Sequence, residues 1–135
     1  MKKRVMVDMS ATLLHHGHVR LLAQAAEFGT VIVGLTGDEQ VTLHKGYTPE
    51  LNFEQRKEIL LAIRWVDQVV ETPWLIDELI LDRHSVDLLV HGDDNTNKVD
   101  PSRLLILPRT VDISSTLLRK RAQVTLRCLK DFDEG

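Results

Sequence analysis

Cysteine is almost absent from this sequence, and so is any long apolar run. The lone Cys128 has no partner for an internal disulfide, so the chain is not a disulfide-stapled scaffold. Its thiol reads as inert rather than redox-active or catalytic. No stretch approaches the ~18 consecutive apolar residues that mark a membrane-spanning helix. The basic start Met1-Lys2-Lys3-Arg4 leads into an apolar stretch that Asp8 interrupts, too short for a secretory signal. A cytoplasmic protein without membrane insertion is therefore expected. Neither sign of charge dominates. The 17 basic and 20 acidic residues leave a net charge of -3 at pH 7, which argues against a dedicated nucleic-acid binder. Aromatic residues amount to 4%, and no repeat, low-complexity tract or linker occurs. What remains is ordinary for a globular domain: 43% hydrophobic and 27% charged residues over 135 positions. One domain spanning 1–135 is expected.

Hydrophobic patterning divides the chain into alternating strands and helices. A strand is predicted over 5–9, followed by a polar connection over 10–16. Val19, Leu22, Ala23 and Ala26 then fall on one helical face, and Gly29 is placed to stop that helix. A β-branched run over 30–36, centred on Val31-Ile32-Val33, reads as a buried strand, completing a βαβ unit with parallel strands. The stretch 37–51 reads as a loop. Asn52 is a candidate N-cap for a helix reaching Arg64. Further strands are predicted over 66–70, 86–90 and 104–107, with an amphipathic helix over 74–83 between the first two. Ser114 or Ser115 caps a last helix over 116–129. The expected architecture is an α/β, Rossmann-like open parallel sheet of about five strands with helices on both faces. Such sheets bind ligands at the carboxyl ends of their strands. Three polar stretches fall there: 10–18, 91–95 and 109–116.

The most pointed of these is His15-His16-Gly17-His18, between the first strand and the first helix. A helix start offers free N–H groups and the positive end of the helix dipole, which suits a phosphate. Gly17 allows close approach to the backbone. His15 and His18 can project to the same side and donate imidazole N–H bonds to phosphate oxygens. Plainer alternatives are a metal site, which no Cys or carboxylate cluster completes, or polar residues at a helix start. No residues are assigned as metal ligands. Asp93-Asp94-Asn95 lacks the spacing and glycine of a calcium loop, and Asp94 reads as lining a pocket at a strand end.

Four segments in register resemble the cytidylyltransferase family of HxGH nucleotidyltransferases, over about Arg4 to Ala122. They are His15-His16-Gly17-His18, His44-Lys45-Gly46, Arg64-Trp65-Val66-Asp67-Gln68-Val69-Val70 and Arg109-Thr110-Val111-Asp112-Ile113-Ser114-Ser115-Thr116. The last resembles the signature R-T-x-G-I-S-T-T. The resemblance implies CMP transfer from CTP to a small phosphorylated alcohol, glycerol 3-phosphate or phosphoethanolamine, with release of pyrophosphate. It implies catalytic roles for His15, His18, Lys45 and Arg109. It also places Ser10, Ala11, Gly17, Arg64, Asp94, Thr110, Ile113, Ser114, Ser115 and Thr116 against the nucleotide. Mg2+ would accompany the triphosphate, and a homodimer is implied.

Taken alone, Arg64 is a charge at a helix end, Lys45 a solvated loop lysine, and Ser114 and Ser115 helix caps. Asp67 reads as ordering a strand start. Two departures stand out. Met9-Ser10-Ala11-Thr12 replaces the family's G-T-F-D, and Asp112 replaces a glycine, a position where φ above zero is expected. They keep open a catalytically degenerate nucleotide-binding protein as a rival, and the shared histidine motif keeps open an ATP-dependent adenylyltransferase.

Overall fold

In a computed structural model, which describes residues 2–133, five strands pair into one sheet. The reading of one domain over 1–135 runs past the described residues at both ends. The strands are β1 (Arg4–Met9), β2 (Thr30–Thr36), β3 (Gln68–Thr72), β4 (Leu88–Gly92) and β5 (Leu104–Leu107), in the order β3-β2-β1-β4-β5. Every pairing is parallel, with Val5 opposite Val31 on one side and Leu88 on the other. The chain winds outward from β1 through β2 to β3, then returns to place β4 on the other side of β1. The direction of winding thus switches between β1 and β4, where an open parallel sheet leaves a crevice.

Strand residues alternate between two cores, as the period of two requires. Val5, Val7, Val31 and Val33 pack under α1 (His16–Ala26) and α3 (Phe53–Leu61), against Leu22, Ala25 and Leu60. Met6, Ile32 and Leu89 face the opposite way and pack with Ile80 and Leu81 of α4 (Glu78–Arg83). Helices therefore cover both faces.

Several boundaries differ from the sequence expectation. The stretch expected as a loop over 37–51 contains α2 (Asp38–Lys45), a polar helix that buries only Val41 and shows no apolar stripe to read. Asp38 and Glu39 begin it, and Gly46 ends it at φ 79, a left-handed conformation that glycine adopts without cost. The third helix ends at Leu61, short of Arg64, and the fourth starts after the Asp77 cap rather than at Trp74. The strands expected over 66–70 and 86–90 both begin and end two residues later, at Gln68–Thr72 and Leu88–Gly92. The second shift puts His91 and Gly92 inside β4. Asp67 orders the strand start as expected: its carboxylate accepts the Val31 N–H at 3.0 Å. The last helix, α5, runs Ser115–Asp133.

Candidate active site

A cavity of about 760 Å³ opens at the carboxyl ends of β1 and β4, at the switch in winding. Its first wall is the start of α1. His15 is the N-cap, in extended backbone, and its Nδ1 accepts the Gly17 N–H at 3.1 Å. The His15 N–H donates in return to Nδ1 of His18, also at 3.1 Å. Two histidines thus form a reciprocal capping box, satisfying donors that a helix start would leave bare. Because both Nδ1 atoms accept, each neutral ring carries its proton on Nε2.

Burial, with nearby His15 and Lys45 adding to it, lowers the His18 pKa to about 3. Burial, with His16 beside it, lowers that of His15 too. Near neutral pH the pair is uncharged, presenting two N–H donors. Gly17 is needed here for a further reason: a Cβ at that position would lie 2.8 Å from Cε1 of the His15 ring.

The second wall is the start of α5, docked directly onto the first. The Ser115 hydroxyl donates to the Leu13 carbonyl at 3.0 Å, and the Ile113 side chain sits against Gly17. Ser114 caps the helix by accepting the Leu117 N–H at 3.0 Å. Asp112 has φ 63, the left-handed conformation expected where glycine is replaced. Two helix starts therefore border one cavity, whose lining includes Gly17, Thr110, Ile113, Ser114, Ser115 and Thr116. Their dipoles and free N–H groups make that volume attractive to anions.

Arg109 adds a guanidinium on the rim. Its Nε donates to Asp93 at 2.7 Å, while Asp94 lies 3.7 Å from Nη1. The Arg109 stem lies over Gly92, where a Cβ would meet its Cγ at 3.0 Å. Lys45, the last residue of α2, lines the cavity beside Trp74, its Nζ 5.8 Å from the ring centroid. His44 stacks on the same indole at 5.0 Å.

The sheet floor carries a group that sequence reasoning did not find. Nδ1 of His91 on β4 lies 2.5 Å from Asp8 on β1, and the other Asp8 oxygen accepts from Asn97 at 3.0 Å. Burial pulls the His91 pKa down, but the hydrogen bond and charge of Asp8, with Asp94 adding, outweigh it and leave the imidazole raised. Asp8 and His91 are 83 positions apart, and only the pairing of β1 with β4 joins them. His91 falls in the polar stretch 91–95, and a polar residue inside an otherwise apolar strand is the signal that could have led to Asp8.

Of the residues named from the sequence, the cavity gathers His15, His18, Lys45, Arg109, Ser10 and Asp94 together with the helix-start residues. Two stand apart. Ala11 is buried at φ 44 and does not line the cavity. Arg64 is exposed, in the turn leading into the amino end of β3, with its guanidinium 5.4 Å over the Trp65 ring. That is the opposite end of the sheet from the cavity. The structure does not bring it to the other residues.

Arg56, unremarked in the sequence, is 2% exposed and spends its donors on the supporting loops. It donates to the carbonyls of Ser10 at 2.6 Å, Thr36 at 2.9 Å and Leu51 at 3.1 Å, and to Asp38 at 2.7 Å. The ends of β1 and β2 and the start of α2 are thereby tied beneath the cavity.

Fold and crevice together define a Rossmann-like α/β domain with an anion-favouring cavity at its switch point. The chain belongs to the cytidylyltransferase-like family, whose model matches residues 11–121. It is 40% identical over 99 residues to the ethanolamine-phosphate cytidylyltransferase of Mus musculus, covering 72% of this chain and 24% of that protein. It is 33% identical over 123 residues to the glycerol-3-phosphate cytidylyltransferase of Bacillus subtilis (strain 168), covering 87% of this chain and 95% of the relative. The chain therefore spans about a quarter of the mouse relative and nearly all of the bacterial one. A lipopolysaccharide core biosynthesis protein from Thermoplasma volcanium GSS1 superposes with a TM-score of 0.68 over 82% of this chain and 99% of that one. At 17% identity that likeness is one of fold.

Proposed function

We propose that this chain transfers CMP from CTP to a small phosphorylated alcohol, glycerol 3-phosphate or phosphoethanolamine, releasing pyrophosphate. The observation that carries the reading is the meeting of two helix starts, joined by the Ser115 hydroxyl on the Leu13 carbonyl, around neutral histidines whose Nε2–H groups are left to donate. An oxygen of the acceptor phosphate attacks the α-phosphorus of CTP. The bond from that phosphorus to the bridging oxygen breaks, and pyrophosphate departs. Negative charge spreads over the α-phosphate oxygens as this happens. His15 and His18 donate Nε2–H bonds there, without the repulsive cost of a second cation beside Lys45. Lys45 and Arg109 neutralise the flanking phosphates, and the N–H groups of Ser114, Ser115 and Thr116 cradle them. Ser10, Gly17, Thr110 and Ile113 shape the nucleotide's seat, and Asp94 borders it.

Mg2+ would accompany the triphosphate and screen its charge. Among the described residues no group of three or more His, Cys, Asp or Glu gathers into a metal site. Phosphate oxygens and water would thus supply most of its ligands. Asp94, whose contacts to His91 and Arg109 are long at 3.4 and 3.7 Å, is the carboxylate the protein can offer. No helix of the described residues is long and apolar enough to cross a membrane, and a cytoplasmic homodimer is the form proposed.

The test is pyrophosphate release with Mg2+ and each of CTP, ATP, GTP and UTP, against glycerol 3-phosphate, phosphoethanolamine and phosphocholine. Release with CTP and glycerol 3-phosphate or phosphoethanolamine is expected, and names the product. Release with ATP alone would move the chain to adenylyl transfer. CTP binding without release from any acceptor would make it a nucleotide-binding protein.

A further inference from the structure

Arg119 sits one turn into α5, outside the cavity lining, yet among the described residues of that helix its side chain is the most heavily engaged. Its Nε and Nη2 grip both carboxylate oxygens of Glu50, at 2.7 and 2.6 Å. The same Nη2 donates to the hydroxyl of Thr12 at 2.8 Å. The guanidinium carbon lies 4.2 Å from the centroid of the Tyr47 ring, and the Tyr47 hydroxyl is 3.2 Å from that of Thr12. Thr12 is fully buried, and the Arg119 side chain is 22% exposed.

These partners belong to the two loops that present the histidines and the lysine. Thr12 lies in the connection from β1 to His15. Tyr47 follows Lys45 across Gly46, whose left-handed backbone has open space around it. Glu50 stands just before the Asn52 cap of α3. The helix that supplies the second phosphate cradle thus clamps the other two parts of the site with one side chain. Only arginine does all of this: a planar fork for the carboxylate, a face for the tyrosine and a further N–H for the threonine. The pair with Glu50 cancels its own charge, so its effect on the site is one of position rather than field.

We propose that Arg119 is a positioning residue, holding the Lys45-bearing segment and the histidine loop in register with the start of α5. The kinetic part of this proposal rests on the cytidylyltransferase reading, and the structural part does not. Two measurements separate them. The first is amide hydrogen exchange on the free protein, comparing the parent chain with Arg119→Leu, Arg119→Lys and Glu50→Gln. Exchange is expected to quicken about tenfold or more in 44–51 and 11–15 in all three variants, with the β1 and β2 amides still protected. Protection unchanged in both loops would overturn the proposal. Loss of protection throughout the sheet in all three would do the same, because Arg119 would then support the fold at large.

The second measurement is a double-mutant cycle in turnover. Arg119→Leu is expected to lower kcat roughly ten- to a hundredfold, the scale of a small misplacement of a reacting group. In a Lys45→Ala background the same change is expected to cost less than in the parent chain, because one of the two groups it positions is gone. An undiminished loss in that background would overturn the proposal. If the parent chain turns over no acceptor while loop exchange responds as stated, the clamp stands and the cytidylyltransferase reading falls.

Discussion

Nδ1 of His18 accepts the backbone N–H of His15 at 3.1 Å, so one imidazole both caps the helix and has its tautomer fixed. Capping and chemistry can be separated by substitution. Glutamine at this position keeps an acceptor for the His15 N–H, the usual partner in a capping box, but replaces the imidazole Nε2–H with a shorter-reaching amide N–H. His18→Ala loses both. Both variants are expected to turn over about 100- to 1000-fold more slowly. Only His18→Ala is expected to lose about 0.5–2 kcal/mol of stability as well. Urea unfolding alongside pyrophosphate release checks both. Turnover by His18→Gln close to the parent rate would show that the imidazole's own N–H is not needed.

The depressed pKa of His18 fixes the sign of one part of the pH dependence. In the unfolded chain this imidazole protonates below about 6.5, whereas in the folded chain burial and its cationic neighbours hold it neutral down to about 3. Between those values the unfolded state binds the extra proton, so stability falls with falling pH, by up to about 1.4 kcal/mol per unit. His15 acts in the same direction. Comparison of the parent chain with His18→Gln at pH 7 and pH 5 isolates the contribution. The parent is expected to lose stability relative to His18→Gln between pH 7 and pH 5, and a parent that gains on the variant over that range would contradict the burial of a neutral His18.

His91 acts oppositely. Its pKa is raised because Asp8 outweighs burial, so its contribution is fully present below 6.5 and is lost as pH rises through the folded value. Replacing Asp8 with asparagine leaves burial without its counter-charge. The His91 ring is then expected to titrate below its position in the parent chain, in an NMR titration of the imidazole protons. An unmoved titration would mean that Asp94 alone sustains the imidazolium.

The first βαβ unit was legible because Val19, Leu22, Ala23 and Ala26 share a helical face, Gly29 stops that helix, and Val31-Ile32-Val33 form a β-branched run. The helix-start histidines and serines were legible for a related reason: caps and phosphate sites draw on the same residue types. Helix α2 was not, since DEQVTLHK buries one valine and its stability lies in its ends. The ends of β3 and β4 slipped by two residues because each strand runs on past its apolar residues, through Glu71-Thr72 and His91-Gly92. Arg64 was assigned by resemblance of its segment, yet its place at the amino end of β3 separates it from a cavity at the carboxyl ends. The Asp8–His91 contact and the Arg119 clamp join residues 83 and 69 positions apart. Periodicity carries no information at that range.

Arg56 shows how much of the site depends on a residue outside it. An arginine in a short helix reads as a solvent-facing charge, but α3 turns this one inward, where it supplies hydrogens to three carbonyls and to Asp38. Truncation to methionine fills much of the same volume while leaving the Ser10 and Thr36 carbonyls without their donors. Removing one member of a buried ionic group in this way costs about 3–5 kcal/mol. A fall in Tm of about 10 °C or more should accompany it. Lysine has a single charged centre and cannot reach acceptors on both sides, so Arg56→Lys is expected to recover only part of the loss. The urea midpoint should drop in both variants with an unchanged slope, because the denatured state is untouched. A loss below about 1 kcal/mol for Arg56→Met would mean that water replaces the guanidinium at little cost. The ends of β1 and β2 would then be held by the sheet itself.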